Sequence, residues 1–353
     1  GKIEAELERM VKLDIIEPVD EPTEWVNSYD VVEKGDKTRI CLDPNALNKF
    51  ILREHVHLPT VDDIYSEIRD GQLYSKLDLK DGYWQIPLSD ASSAFTTFHT
   101  HIGRFMFKRL PFGLKSANEV FHKRVSQVFA GLEGVKVMYD DVLIVGDSEK
   151  QHNDRLVKAL TRARRYGVKL NKLKCRFMLP AVVYMGHIIS AKGIKVDPDK
   201  VVDILNMPAP DDKKGVQRLL GTLNFFSRYI PNMSTITHPI RELLGKYVPF
   251  HWTPTHSQAF TQIKQILANA PVLGYYNVEK DIILEADASS LGLGACILQD
   301  GKPIAYASRS LTTAQTHYAQ IEKELLAIVF GCERFRQYLY GKDILVHTDH
   351  KPL

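Results

Sequence analysis

Three aspartates at the ends of apolar, strand-like runs constrain this chain most. Asp78 closes the run Leu73–Leu77, and Asp140-Asp141 stand between Val135–Met138 and Val142–Val145, the pattern of a hairpin with acids at its tip. Carboxylates crowded at the ends of hydrophobic strands repel one another and take up protons unless a cation joins them. Hard oxygen ligands of this kind suit magnesium. A lone Asp-Asp is ordinarily a turn or a helix cap, so the reading depends on what accompanies the pair.

At 353 residues the chain is long enough for two or three domains of roughly 150 residues each. With 44% hydrophobic and 25% charged residues it reads as an ordinary soluble globular protein, and no run approaches the roughly 18 apolar residues of a membrane span. Cys41, Cys175, Cys296 and Cys332 are too scattered for a zinc site or a disulfide framework, so a reducing compartment is the default. Gly1 in place of Met, and a last stretch Asp349–Leu353 without a closing element, read as a fragment of something longer. The net charge of +3 excludes little, but ten Lys or Arg against one acid, Asp154, lie between Lys150 and Arg176. Such a run is either a solvated helix face or a surface for a polyanion.

The spacing of Leu7, Met10, Val11 and Ile15 predicts a helix over 4–16. Strands are expected at Tyr29–Val32 and Thr38–Leu42 around the charged turn 33–37, then a helix over 60–69, a strand at Leu73–Leu79 and a helix at Ser116–Phe129. Prolines at 208, 210, 231 and 239 punctuate a helical module from about 197 to 245, and 246–279 reads as a mixed connecting region. From Asp281 the pattern is strand Ile282–Ala286, strand Ala295–Leu298, strand Ile304–Ser308, helix Thr316–Tyr338 and strand Ile344–Thr348, an α/β domain cut short.

The surrounding text decides the acidic pair. Arg39-Ile-Cys-Leu-Asp43-Pro-Asn, Leu77-Asp78-Leu-Lys-Asp-Gly82-Tyr83-Trp84-Gln85, Arg109-Leu-Pro111-Phe112-Gly113 and Tyr139-Asp140-Asp141-Val142 occur in order. They continue through Leu170-Asn-Lys-Leu-Lys174, Tyr184-Met-Gly186-His187 and Phe225-Phe226-Ser-Arg228-Tyr229-Ile230-Pro231. Together these motifs resemble the reverse transcriptase of gypsy-class long-terminal-repeat retrotransposon Pol polyproteins, over essentially the whole chain.

The resemblance implies an α+β fold: a right-hand reverse transcriptase with fingers, palm and thumb, followed by a truncated ribonuclease H-like α/β domain. Fingers and palm would occupy 1–195, the thumb 196–245, a connecting segment 246–279 and the ribonuclease H-like domain 280–353. Asp78, Asp140 and Asp141 become the polymerase carboxylates, with Asp78 and Asp140 binding metal directly. Lys37, Arg39, Leu79, Tyr83 and Phe112 would contact the incoming nucleotide, Tyr83 as a steric gate against a ribose 2′-hydroxyl; arginine suits triphosphate because its planar fork holds two phosphate oxygens. Lys172 and Lys174 both fall where the family has a lysine suspected of protonating pyrophosphate. The basic run would then adjoin the template and primer cleft. Two departures stand out: the aromatic and aliphatic residues before Asp-Asp look exchanged at Met138-Tyr139, and Asn118 replaces a common proline.

Asp287-Ala-Ser289, Gly292-Leu-Gly294, Glu322-Lys-Glu324 and Thr348-Asp349-His350 resemble the ribonuclease H segment of the same family. The resemblance gives Asp287, Glu324 and Asp349 as its first three acids; Glu322, roughly 200° from Glu324 around a helix, is expected on the surface. The family's fourth acid and histidine would lie past residue 353, so weak or no cleavage is expected of this fragment. The family implies two Mg2+ or Mn2+ ions per site, an RNA template, a DNA primer, RNA/DNA hybrid, dNTPs and the rest of a Pol polyprotein as partners. Its localisation would be cytoplasmic, in virus-like particles, with nuclear entry. The competing reading is a decayed or domesticated element product that binds nucleic acid without catalysis. Asn232-Met-Ser234 also matches a glycosylation acceptor, unused in the cytosol.

Overall fold

The computed structural model describes residues 1–35, 37–53 and 61–349, with only the backbone for Lys34, Lys37 and Val61. The first half runs α1 (Lys2–Lys12), β1 (Ile16–Pro18), β2 (Ser28–Lys34), β3 (Lys37–Asp43), α2 (Val61–Glu67), β4 (Leu73–Asp78), α3 (Asp90–Phe95), β5 (Phe98–Thr100), β6 (Gly103–Phe107), α4 (Ala117–Phe129), β7 (Val135–Met138), β8 (Asp141–Gly146), α5 (Glu149–Arg165) and β9 (Arg176–Leu179). The second runs β10 (Ala181–Tyr184), β11 (His187–Ser190), β12 (Gly193–Val196), α6 (Pro198–Leu205), α7 (Lys213–Phe225), α8 (Met233–Ile236), α9 (His238–Glu242), α10 (Pro254–Ala268), β13 (Ile283–Ala288), β14 (Gly292–Gln299), β15 (Lys302–Ser310), α11 (Gln320–Arg334), α12 (Arg336–Leu339) and β16 (Leu345–His347). The chain divides into two compact units, Gly1–Thr60 with Gln72–Leu179, and Val61–Gly71 with Pro180–Leu353. The helix α2 and the strands β10–β12 thus belong to the second unit.

The first unit is built on a four-stranded sheet in the order β7-β8-β4-β9. The antiparallel register sets Leu77 opposite Val142 and Asp78 opposite Asp141. Because side chains alternate across a strand, each pair takes its own face. Leu77, Val142 and Ile144 pack with Phe121, Val125 and Phe129 of α4 and Ala159 and Ala163 of α5, so Asp78 and Asp141 emerge on the face that these helices leave open. Beside this sheet lie the β2–β3 hairpin and the sheet β1-β6-β5, whose core takes Leu7 and Met10 of α1 together with Ile40, Phe98 and Phe107.

This layering corrects the reading of the basic run. Most of it forms α5, which covers the sheet on the side away from Asp78 and Asp141 because its alanines and leucines must bury against Val142 and Ile144. Arg155 turns inward to the Val145 carbonyl at 2.7 Å and pairs with Glu133, while Arg162 donates to the Val128 and Ala130 carbonyls at 3.1 and 3.3 Å. Only the tail after α5 returns to the acid-bearing end, where the Asn171 N–H donates to the Asp78 carbonyl at 2.9 Å.

In the second unit β10, β11 and β12 form an antiparallel meander. Two of the sequence motifs meet there as packing. The His187 ring stacks on Phe225 at 5.0 Å and its Nδ1 pairs with the Tyr229 hydroxyl at 2.8 Å. Burial pushes the imidazole down to about 4, so it is neutral at physiological pH. Arg228 meets Asp62 of α2 at 2.9 Å and lies over the Tyr65 ring. The region 246–279 is not merely connecting: it contains the 15-residue α10, started by Thr253 and Pro254. Its buried Ala259, Phe260, Ile263 and Leu267 are diluted by Thr, His, Ser and Gln, which hid the helical stripe. The helix expected over 316–338 is likewise two, α11 and α12, parted at Phe335. The last sheet runs β15-β14-β13-β16, with β13 and β16 parallel and α11 packed against it.

Candidate active sites

The acid-bearing end of the first sheet opens into a cleft of about 450 Å³ lined by Asp78, Asp140, Leu79, Gly82, Trp84, Phe112, Thr38, Arg39, Asn171, Lys174, Glu6, Arg9 and Asp81. Asp78 and Asp140 both face it. Asp141 does not line it; its carboxylate is held by Lys76 Nζ at 2.7 Å. Burial pushes the Asp140 carboxyl up, and the neighbouring Asp141 and Asp78 charges add to this, while Lys174 and Arg39 oppose it. Asp141 is also pushed up by burial, against the pull of Lys76. Tyr139, exposed at the hairpin tip, adopts φ +50°, whereas Met138 is buried in the sheet. The exchange of these two residues thus places the aliphatic side chain in the core and the ring in solvent beside the acids.

The structure separates the two candidate lysines. Gln85 clamps Lys169: its amide donates to the Lys80 and Lys169 carbonyls at 2.5 and 3.0 Å and accepts from the Lys169 N–H at 2.8 Å. Beyond it the Asn171 N–H donates to the Asp78 carbonyl and the Lys174 N–H to the Asn171 carbonyl, and Lys174 Nζ stands 3.4 Å from Asp78 Oδ2, whereas Lys172, exposed, does not line the cleft. Arg39 lines the cleft with its guanidinium 5.8 Å from the centre of the Phe112 ring. The Leu79 N–H donates to the Asp140 carbonyl at 3.2 Å, fixing the hairpin tip against β4. The Lys37 side chain lies outside the described residues. Tyr83 packs between Phe112 and Phe121, at 4.9 and 5.2 Å, and its hydroxyl bonds to Asn118 Oδ1. The departure at Asn118 is therefore an anchor for Tyr83.

The helix α1 was expected from its spacing, but its place in the cleft wall was not. Arg9 is gripped by both Glu6 oxygens at 2.7 Å and lies 5.7 Å over the Trp84 ring, adding a cation to the cleft wall. The spacing Glu6-x-x-Arg9 on one helix face was the available signal.

In the second unit Asp287, Glu324 and Asp349 converge, with carboxylate oxygens all within 4.8 Å of one another. Asp287 ends the first strand of the sheet, Glu324 is buried on α11, and Asp349 follows β16. The Gln320 amide donates to Glu324 Oε1 at 2.6 Å and to the Ala288 carbonyl at 2.9 Å, tying the helix to the strand. Glu322 is exposed, as expected, and its carboxylate accepts the Ala319 N–H at 2.8 Å, capping α11. Three hard carboxylates at this separation match the donor set of a divalent cation such as Mg2+ or Mn2+. Asp78 and Asp140 line the first cleft, with Lys174 Nζ beside Asp78, but among the described residues only the second trio brings three such ligand atoms together.

Residues 32–189 match the family described as reverse transcriptase (RNA-dependent DNA polymerase), and residues 252–346 match the RNase H-like domain found in reverse transcriptase. The chain carries a reverse transcriptase domain followed by an RNase H-like domain of the kind found in reverse transcriptases. Its curated relatives are retrovirus-related Pol polyproteins of transposons, gypsy among them, consistent with a gypsy-class retrotransposon. It is 34% identical over its whole length to the retrovirus-related Pol polyprotein from transposon 412 of Drosophila melanogaster, and 32% identical over 99% of its length to that from transposon gypsy. The chain covers 29% and 36% of those two proteins, about a third of their length. The fold is similar to that of a foamy viral protease-reverse transcriptase solved with double-stranded DNA (TM-score 0.89, 23% identity, 98% of this chain and 62% of that one). It also resembles one solved with RNA/DNA hybrid (TM-score 0.86, 23% identity, 98% of this chain and 47% of that one).

Proposed function

We propose that the chain is an RNA-directed DNA polymerase that transfers nucleotides from dNTPs to a primer 3′-hydroxyl on an RNA template. The observation that carries this reading is the register that sets Asp78 opposite Asp141, with Asp140 beside them, at the mouth of a cleft furnished with Arg9, Arg39 and Lys174. Residues 1–195 would form fingers and palm, 196–245 the thumb, 246–279 the connection and 280–353 the ribonuclease H-like part, with Asp287, Glu324 and Asp349 directed at the RNA strand of a hybrid. Two divalent ions per site, held by Asp78 and Asp140 or by the second trio, would lower the pKa of the attacking hydroxyl or water and offset charge on the leaving group.

The chain's own residues supply the rest. Arg39 would grip the triphosphate with its planar fork, and Phe112, under Arg39, would form the wall that the base and sugar meet. Lys174 would protonate the departing pyrophosphate. We further propose that the protein works with the rest of its Pol polyprotein in cytoplasmic particles, with later nuclear entry of the DNA.

Primer extension on oligo(dT)-primed poly(rA), with Mg2+ and then Mn2+, tests the reading. Incorporation of dTTP supports it. Tight hybrid binding without incorporation would point instead to a decayed nucleic-acid-binding product. In the same assay Lys174→Ala should lower the rate by about a hundredfold, in the range of a lost general acid. Lys172→Ala should stay near wild type, and an equal loss in both would remove the distinction. Tyr83→Ala should admit ribonucleotides; unchanged discrimination between dNTPs and rNTPs would rule out the gate.

A further inference from the structure

Asn232, at φ +49° before α8, reaches the sheet that carries the second acid trio. Its Nδ2 donates to Asp287 Oδ2 at 3.5 Å. Gly294 is the cross-strand partner of Asp287, and a Cβ built there would lie 1.8 Å from Asn232 Oδ1. The amide therefore fills the space that a side chain at 294 would take, alongside the carboxylate. Two further bonds pin the same segment: the Ser234 N–H donates to Ser308 Oγ at 2.9 Å, and the Thr235 and Ser289 hydroxyls meet at 3.0 Å. Residues of the motifs Asp287-Ala-Ser289 and Gly292-Leu-Gly294, with Ser308, thus form a seat for 232–235, a segment that the sequence reading assigned to the thumb. The matched glycosylation acceptor is spent on this joint, since its amide nitrogen faces Asp287.

We propose that Asn232 is a positioning residue for Asp287, holding its carboxylate toward Glu324 and Asp349 so that the three can share a divalent cation. The inference rests on reading that trio as a metal centre. Asp287 is exposed and stands beside two other carboxylates, so repulsion drives it to rotate into solvent. A donor amide offsets part of that charge and restricts the rotation, as partners of metal ligands commonly do. Asparagine suits the position twice: it tolerates the left-handed backbone better than most residues, and its amide is short enough to lie flat over Gly294.

The test is Mn2+ binding, followed as free ion by electron paramagnetic resonance, on the full 353-residue chain carrying Asp78→Asn and Asp140→Asn to silence the first site. In that background Asp287→Asn should abolish the remaining binding; if it does not, the metal-centre reading fails and takes this inference with it. Asn232→Gly keeps the left-handed backbone and removes only the amide. It should weaken Mn2+ binding about five- to tenfold, the lower end of what such partners command because the contact is long, with Tm unchanged. Wild-type affinity in Asn232→Gly, while Asp287→Asn abolishes binding, would overturn the positioning role and leave the metal centre intact. Gly294→Ala, which displaces the amide without touching Asp287, should reproduce the loss, and normal affinity there would count equally against it.

Discussion

Asp140→Asn is expected to reduce primer extension by at least about a thousandfold, the rate equivalent of losing several kcal/mol of metal-assisted stabilisation. The same substitution should have the opposite effect on the metal-free fold. The Asp140 carboxyl is pushed up by burial and by Asp141 and Asp78, so its charged form is disfavoured in the folded chain. For an acid raised on folding, this destabilisation is absent below the unfolded pKa and grows as pH rises through the folded one. At pH 7 in EDTA, Asp140→Asn should therefore melt higher than wild type, and the difference should vanish near pH 4 or below. Adding Mg2+ should raise the wild-type Tm and leave the variant behind, since ligand binding to the folded state stabilises by mass action. A variant that melts no higher than wild type in EDTA at neutral pH would mean that the crowding of the acids is relieved by means other than a cation. Retained extension would remove Asp140 from the chemistry.

Gly113→Ala is the second large effect, and it acts without touching an acid. Gly113 has φ +107°, and a Cβ there would lie 1.9 Å from the Leu42 carbonyl oxygen. That contact is the joint between β3 and the Pro111-Phe112-Gly113 loop: the Leu42 N–H donates to the Phe112 carbonyl at 3.0 Å. Asn48 closes the other side, donating to the Gly113 carbonyl at 3.0 Å and accepting the Lys115 N–H at 2.9 Å. An added methyl forces strand and loop apart and strains the backbone, at a cost of about 3 kcal/mol or more. It also carries Phe112 away from Arg39, so the KM for dNTP should rise along with the loss of stability. Urea unfolding and steady-state extension on one preparation check both. A wild-type midpoint would show that the loop can yield, and an unchanged KM would separate the joint from nucleotide binding.

The elements bearing the strongest periodicity were legible: the stripe of α4, the acid-tipped hairpin β7–β8 and the strands from Asp281 follow local pattern. The short strands β1, β5, β6 and β9–β12 escaped, because segments of three to five residues with mixed burial carry little alternation and exist only by pairing with other strands. Motif text had a similar split. Asp78, Asp140, Asp287, Glu324 and Asp349 could be named from it, whereas His187, Phe225 and Arg228 belong to equally recognisable motifs and prove to be packing and an ion pair. A motif marks constraint, and only the surroundings tell chemistry from a core.

The sequence by itself marked the two sets of acids and the order in which hairpin, first sheet, helices and second acid set would come, because those follow from residue type and local spacing. Tertiary structure alone decided that α5 turns its basic run away from the acids, since sheet alternation gave that face to Val142 and Ile144. It brought Lys174, and not Lys172, to the lining of the acid-bearing cleft. It also brought Arg9 and Asn232, remote in sequence, to the edges of the two acid sets. Each of these depends on contacts between residues far apart along the chain, which are set by strand register and packing and leave no trace in local periodicity.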